Sequence, residues 1–166
     1  MVVRAKLIIA YLGTRFRGWQ RQAEGPTVQG ELEAALSALV QAPVAVTGAG
    51  RTDAGVHAAG QVAHVDLPGP IPVAALTRGL NASLAGDIRV RAATLAAPDF
   101  HARRDAVAKR YVYRLRWRSR SLPWLDLRCA ELPPPRDLEG FLAALQVFPG
   151  RHDMASFTVP DPGPPT

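Results

Sequence analysis

The chain has 166 residues, 48% of them apolar and 20% charged, with a formal net charge of +6. That composition buries a core and excludes disordered and collagen-like chains, and the length suits a single domain rather than a large two-domain enzyme. One cysteine, Cys129, and four histidines exclude an internal disulfide and a Cys/His structural zinc site.

The elements follow in chain order from apolar periodicity. Residues 6–12 read as a short strand ended by Gly13. It is far shorter than the roughly 20 apolar residues a bilayer demands, and no small-residue cleavage site follows it. Neither secretion nor membrane insertion is expected, and a reducing cytoplasm is. Val28, Leu32, Ala35, Leu36 and Leu39 recur at helical spacing behind Thr27, an N-cap residue, with Glu31 and Glu33 near the positive end of the helix dipole. Residues 44–47 and 61–67 read as strands, because they are short, β-branched or alternating, and bounded by Gly, Pro or Asp. Val73, Leu76, Leu80 and Leu84 form a second helix entered through Pro72 and ended before Gly86, and residues 88–95 give another strand.

The order to residue 95 is thus β-α-β-β-α-β, the ferredoxin-like unit of an α+β protein. Two helices cover one face of an antiparallel sheet and leave the other free. Beyond it, residues 109–118 alternate. Lys109, Tyr111, Tyr113, Leu115 and Trp117 are expected on one face of a strand, with Arg110, Val112, Arg114, Arg116 and Arg118 on the other. Cys129 is expected in a further strand as a buried small hydrophobe. Leu138, Phe141, Leu142 and Leu145 mark a third helix that begins near Asp137 and stops at Pro149-Gly150. Residues 148–157 look like the start of another element, after which a proline-rich run closes a chain that reads as cut short. The expected division is an N-terminal unit over residues 1–104, with a glycine-rich loop at 48–60, and an incomplete second part over 105–166.

Charge is unevenly placed. Residues 103–120 hold eight basic side chains against the single acid Asp105, a local charge of +7, so the remainder of the chain is close to neutral. Arginine accounts for 18 of the 20 basic residues, which a GC-rich genome explains; it does not explain the clustering. A concentrated basic field attracts a phosphate backbone.

The densest run of chemistry-bearing residues is the loop at 48–60, with four glycines, one carboxylate and one cation. Asp53 is a candidate general base or nucleophile, and Arg51 two positions away favours its ionised form. An ordinary surface turn has the same composition. Asp53 with His57 and His64 as metal ligands and a phosphate nest are the other readings, although no second carboxylate and no P-loop Lys-Ser/Thr pair lies nearby.

Gly50-Arg51-Thr52-Asp53-Ala54-Gly55-Val56-His57-Ala58 resembles the signature of the tRNA pseudouridine synthase I (TruA) family. Further motifs match in the same order: Gly18-Trp19-Gln20-Arg21-Gln22, Thr27-Val28-Gln29-Gly30-Glu31-Leu32-Glu33, Asn81, Gly86-Asp87-Ile88, Asp99-Phe100-His101-Ala102-Arg103, Lys109-Arg110-Tyr111-Val112-Tyr113, Gly150-Arg151-His152-Asp153 and Ser156-Phe157. The resemblance implies the pseudouridine synthase fold, two related halves with the active site between them, of which this chain carries the first half and the opening of the second. It implies isomerisation of uridine to pseudouridine at positions 38, 39 and 40 of the tRNA anticodon stem-loop, with no cofactor and no metal, by a homodimer that holds one tRNA across both subunits. By the same resemblance Asp53 is the catalyst, Tyr111 stacks on the target base, and Arg51 fills the space the base leaves on flipping out. Arg21, Lys109 and Arg110 are candidate RNA contacts; Gln20, His57, His101 and Arg103 lie in the same motifs, with the histidines read as hydrogen-bonding rather than catalytic. Two departures stand out: Leu12 where the family carries Asp after Tyr11, and the absence of the family's later segments. The alternative function is therefore a truncated, catalytically inactive RNA-binding fragment. A protein-interaction domain, whose binding would ignore salt, is the remaining class.

Overall fold

The computed structural model describes residues 2–117 and 128–157. They fall in two compact units, Met1–Tyr111 and Val112–Thr166, a division a few residues beyond the expected one.

The first unit has the expected element order. Strands β1 (Val3–Tyr11), β2 (Val46–Gly48), β3 (Ala58–Leu67) and β4 (Ile88–Leu95) alternate with helices α1 (Val28–Val40) and α2 (Val73–Ser83). The sheet order is β2-β3-β1-β4, and every neighbouring pair is antiparallel. Strands β1 and β3 run longer than the apolar pattern indicated, because the ladder bonds from Val3↔Leu67 to Tyr11↔Ala58 extend past the apolar residues at both ends.

Alternation in β1 sends Ala5, Leu7, Ile9 and Tyr11 into the core, where they meet Val28, Leu32 and Leu36 of α1, Leu76 and Leu80 of α2, and Val65 and Val90 from the flanking strands. Each fully buried leucine or isoleucine contributes about 1.5–3 kcal/mol. The opposite face, with Lys6, Ile8 and Ala10, is only half-buried. The Thr27 hydroxyl accepts the Gly30 N–H at 3.2 Å, capping α1 as the sequence suggests. Helix α2 is clamped to β4 by Asn81, whose amide donates to the Val90 carbonyl at 2.8 Å and accepts the Val90 N–H at 2.9 Å.

In the second unit a three-residue strand β5 (Leu115–Trp117) pairs in parallel with β6 (Ala130–Leu132), and α3 (Leu138–Leu145) starts at an Asp137 cap. The long strand expected over 109–118 is corrected here: residues 109–114 have no regular structure, and Arg118 lies outside the described residues. A strand needs a neighbouring backbone for its N–H and C=O groups, and the described residues supply one only opposite Leu115–Trp117. Tyr111, Val112 and Tyr113 are consequently all exposed, rather than sorted onto two faces. Cys129 is half-buried at a bend just before β6, not in the strand. Among the described residues no helix is long and apolar enough to cross a membrane.

Candidate active site

The loop joining β2 to β3 is held against the segment that follows β1. Trp19 donates its N–H to the Thr52 carbonyl at 2.9 Å, Gly55 donates to Phe16 O at 3.3 Å, and Gly13 donates to His57 Nδ1 at 2.8 Å. Within the loop the Val56 N–H donates to Asp53 O at 3.2 Å. The hydroxyls of Tyr11 and Thr52 lie 2.8 Å apart, and Gln61 on β3 donates from Nε2 to Gly50 O at 2.7 Å. The loop's exposed tip thus rests on a set of bonds to β1, β3 and residues 13–19.

Glycine makes this approach feasible. Gly18 adopts φ +89°, and a Cβ there would lie 2.5 Å from the Thr52 carbonyl oxygen; at Gly13 a Cβ would lie 2.1 Å from Val56 O. The Trp19 indole is buried and packs beside Tyr11, with ring centroids 6.0 Å apart. Burial pushes the Tyr11 pKa up, against the smaller opposing pull of its hydrogen bonds with Thr52 and Gln61, so the phenol stays protonated at neutral pH.

Asp53 and Arg51 line one open groove of about 670 Å³ together with Arg17, Gln20, Gln22, Thr52 and Ala54. Both side chains reach solvent. Arg15 pairs with Asp87 and Arg21 with Glu33, whereas Arg17 and Arg51 have no acidic partner among the described residues. The groove therefore carries an exposed carboxylate beside two uncommitted guanidinium groups, which suits a polyanion presenting an uncharged reacting centre.

The remaining expected site residues are distributed differently. Arg21 lies outside the groove lining; its guanidinium is 3.3 Å from Glu33 Oε2, and its backbone N–H donates to Gln29 Oε1. Glu33 is itself buried, accepting the Val46 N–H and the Gln29 amide, so this acid is a joint between α1 and β2 rather than only a dipole partner. The Lys109 ammonium lies against Gly50, at the root of the loop. Arg110 is exposed, and Tyr111 is 79% exposed. His57 and His64 each use Nδ1 to accept a backbone N–H, from Gly13 and Ala102 respectively, and among the described residues no three His, Cys, Asp or Glu side chains converge as a metal set. His101 accepts the N–H groups of Arg103 and Arg104. The exposed backbone group of the departure at Leu12 is satisfied by Asp87 O at 2.9 Å.

Sequence reading missed Tyr11, Gln61 and Arg17 as parts of this site, whereas Gly18 lay in a matching motif. The signal for the first two was available only as proximity in space: Tyr11 and Gln61 reach the loop because β1 and β3 are neighbours in the sheet.

A family profile described as tRNA pseudouridine synthase matches residues 7–104. Proteins named tRNA pseudouridine synthase A from Limosilactobacillus fermentum, Oleidesulfovibrio alaskensis and Myxococcus xanthus are 47%, 45% and 44% identical to the chain, over 93%, 94% and 95% of its length. The matches cover 61%, 59% and 60% of those relatives, so the chain spans about three-fifths of the length of the proteins it resembles.

Proposed function

The chain belongs to the tRNA pseudouridine synthase family, and on that premise we propose that it isomerises uridine to pseudouridine in tRNA with Asp53 as the catalytic carboxylate. The observation that carries this is the placement of Asp53: an exposed carboxylate at the tip of a loop fixed by bonds to β1, β3 and residues 13–19, in a groove with Arg51 and Arg17.

The chemistry suits one carboxylate. The N1–C1′ bond of the uridine breaks, the uracil turns, and C5 bonds to C1′; the C5 hydrogen leaves as a proton and N1 gains one. Atoms and electrons balance between substrate and product, so the step calls for no redox cofactor. Asp53 either adds to the substrate or removes the 2′ proton to give a glycal, and a fixed loop serves both by limiting the carboxylate's wandering. The reacting base is shielded in a stacked stem and must be flipped out. Arg51 occupies the vacated space in this reading and Tyr111 stacks on the uracil, while Arg17, Lys109 and Arg110 attract phosphates. Arg21, beside Glu33 and outside the groove lining, keeps an exposed guanidinium that adds to the same attraction. The sites are uridines 38, 39 and 40 of the anticodon arm, the setting is cytoplasmic, and the working form is a homodimer.

A second reading follows from the share of its relatives that the chain spans: an RNA-binding portion that holds tRNA without turning it over. Tritium release from tRNA labelled at uridine C5 separates the two, because bonding through C5 must expel that hydrogen. Release by the chain and none by Asp53→Asn supports the isomerase. Silence from a folded chain whose tRNA binding weakens steeply with salt supports the second reading.

A further inference from the structure

We infer that Tyr11 is a positioning residue for the loop that carries Asp53, acting through the Thr52 side chain. The inference rests on the reading of Asp53 as catalyst but concerns a residue outside the groove. Tyr11 is the last residue of β1, is buried, and does not line the groove. Its ring packs in the core beside Trp19, and its hydroxyl reaches the loop.

That hydroxyl is 2.8 Å from Thr52 Oγ1, and Thr52 is the residue immediately before Asp53. Thr52 is held a second time, through its carbonyl, by the Trp19 N–H at 2.9 Å. With both its backbone and its side chain engaged, Thr52 has little freedom to rotate, and the direction in which the chain leaves it toward Asp53 is set. The Gln61 amide holds Gly50 O at 2.7 Å. The loop is therefore anchored on either side of Arg51, at Gly50 by Gln61 and at Thr52 by the phenol. β1 is internal in the sheet, paired on both edges with β3 and β4, so the anchor is fastened to a strand held on both sides. An Ala or Val at 52 would keep the backbone bond but lose this one; a Phe at 11 would keep the ring packing and lose only the hydroxyl.

The test is hydrogen exchange on the parent chain, Tyr11→Phe, Thr52→Val and Thr52→Ser, read with tritium release from C5-labelled tRNA. Removing one such bond is expected to speed exchange of the Trp19 and Val56 amides about threefold to tenfold, while the Leu7 and Val65 amides in the sheet keep their protection. Thr52→Ser restores the hydroxyl and returns exchange to the parent rate. kcat falls with Tyr11→Phe and Thr52→Val, and in Tyr11→Phe, whose side chain lies outside the groove lining, KM holds. Unchanged exchange at Trp19 and Val56 in Tyr11→Phe overturns the inference, as does an undiminished kcat in an active parent. Local loosening in a parent that releases no tritium supports the positioning role and sinks the activity reading alone.

Discussion

Three glycines in the first unit differ in backbone φ and in what a methyl group would meet, and their replacement by alanine separates the energy of closing the loop onto residues 13–19 from the cost of a left-handed residue. Gly86 has an ordinary φ and nothing within 4 Å of a built Cβ; Gly55 has φ +80° but equally open space; Gly18 has φ +89° and the Thr52 carbonyl oxygen 2.5 Å away. Gly86→Ala is expected to be neutral or to stabilise by about 0.4–1 kcal/mol through the unfolded chain. Gly55→Ala adds only the cost of a left-handed residue, about 1–2 kcal/mol. Gly18→Ala bears that cost and also forces Thr52 O back by several tenths of an ångström. The displacement stretches the 2.9 Å bond from Trp19 beyond useful range, adding about 1 kcal/mol for the bond and more for the buried donor. The total for Gly18→Ala is about 2–4 kcal/mol, a large part of the 5–15 kcal/mol typical of a domain. Urea denaturation followed by far-UV circular dichroism, with the slope m held constant across variants, reads the three values. A Gly18→Ala cost no greater than that of Gly55→Ala would refute the claim that the Thr52 contact bears load.

Asn81→Ala removes both bonds to buried Val90 and is expected to cost about 2–3 kcal/mol, readable as a lower urea midpoint, whereas an exposed alanine substitution such as Arg78→Ala stays within about 0.5 kcal/mol. Thr27→Ala removes the α1 cap and is expected to cost about 1 kcal/mol, with Thr27→Ser retaining most of it in the same assay. His64 is held below its ordinary value, first by burial and then by the Arg4 charge. The unfolded chain therefore binds a proton near pH 6.5 that the folded chain resists, so stability is full above that pH and is lost as pH falls below it. Thermal melting between pH 7.5 and 5 checks this, and His64→Gln should flatten the decline. At lower pH the Arg4 hydrogen bond, which holds the Asp66 carboxyl below 3.8, gives a second loss as pH falls through the lowered value.

How much of this was legible depends on whether the cause was local. The α1 cap, the alternation of β1 and the two-helix, four-strand order are set by neighbours in sequence, and each appears where periodicity places it. The strand expected over 109–118 was not legible, since alternation supplies the face pattern but not the partner strand that makes it a ladder. At the site, Asp53 and Arg51 stand out because they share a loop rich in glycine. Tyr11 and Gln61 do not, because Tyr11 meets the Thr52 hydroxyl across 41 positions and Gln61 meets the Gly50 carbonyl across 11, contacts that the fold and not the pattern supplies. Glu33 was read by its place in a helix turn, yet its burial against β2 depends on how α1 lies on the sheet.

The central position of β1 bears on how the unit is made. It precedes the other strands of its sheet in the sequence, yet its partners are β3 and β4, and the second of these ends at Leu95. Pairing β1 on both edges thus waits for nearly a hundred residues, and such non-local closure is slow. Until then the nascent chain offers at most the three strands β2-β3-β1 with the β1 edge open, a species prone to associate with its own kind. The Asp53 loop, fastened at Tyr11 to the end of that strand, gains its full support only when the last strand of the sheet has docked.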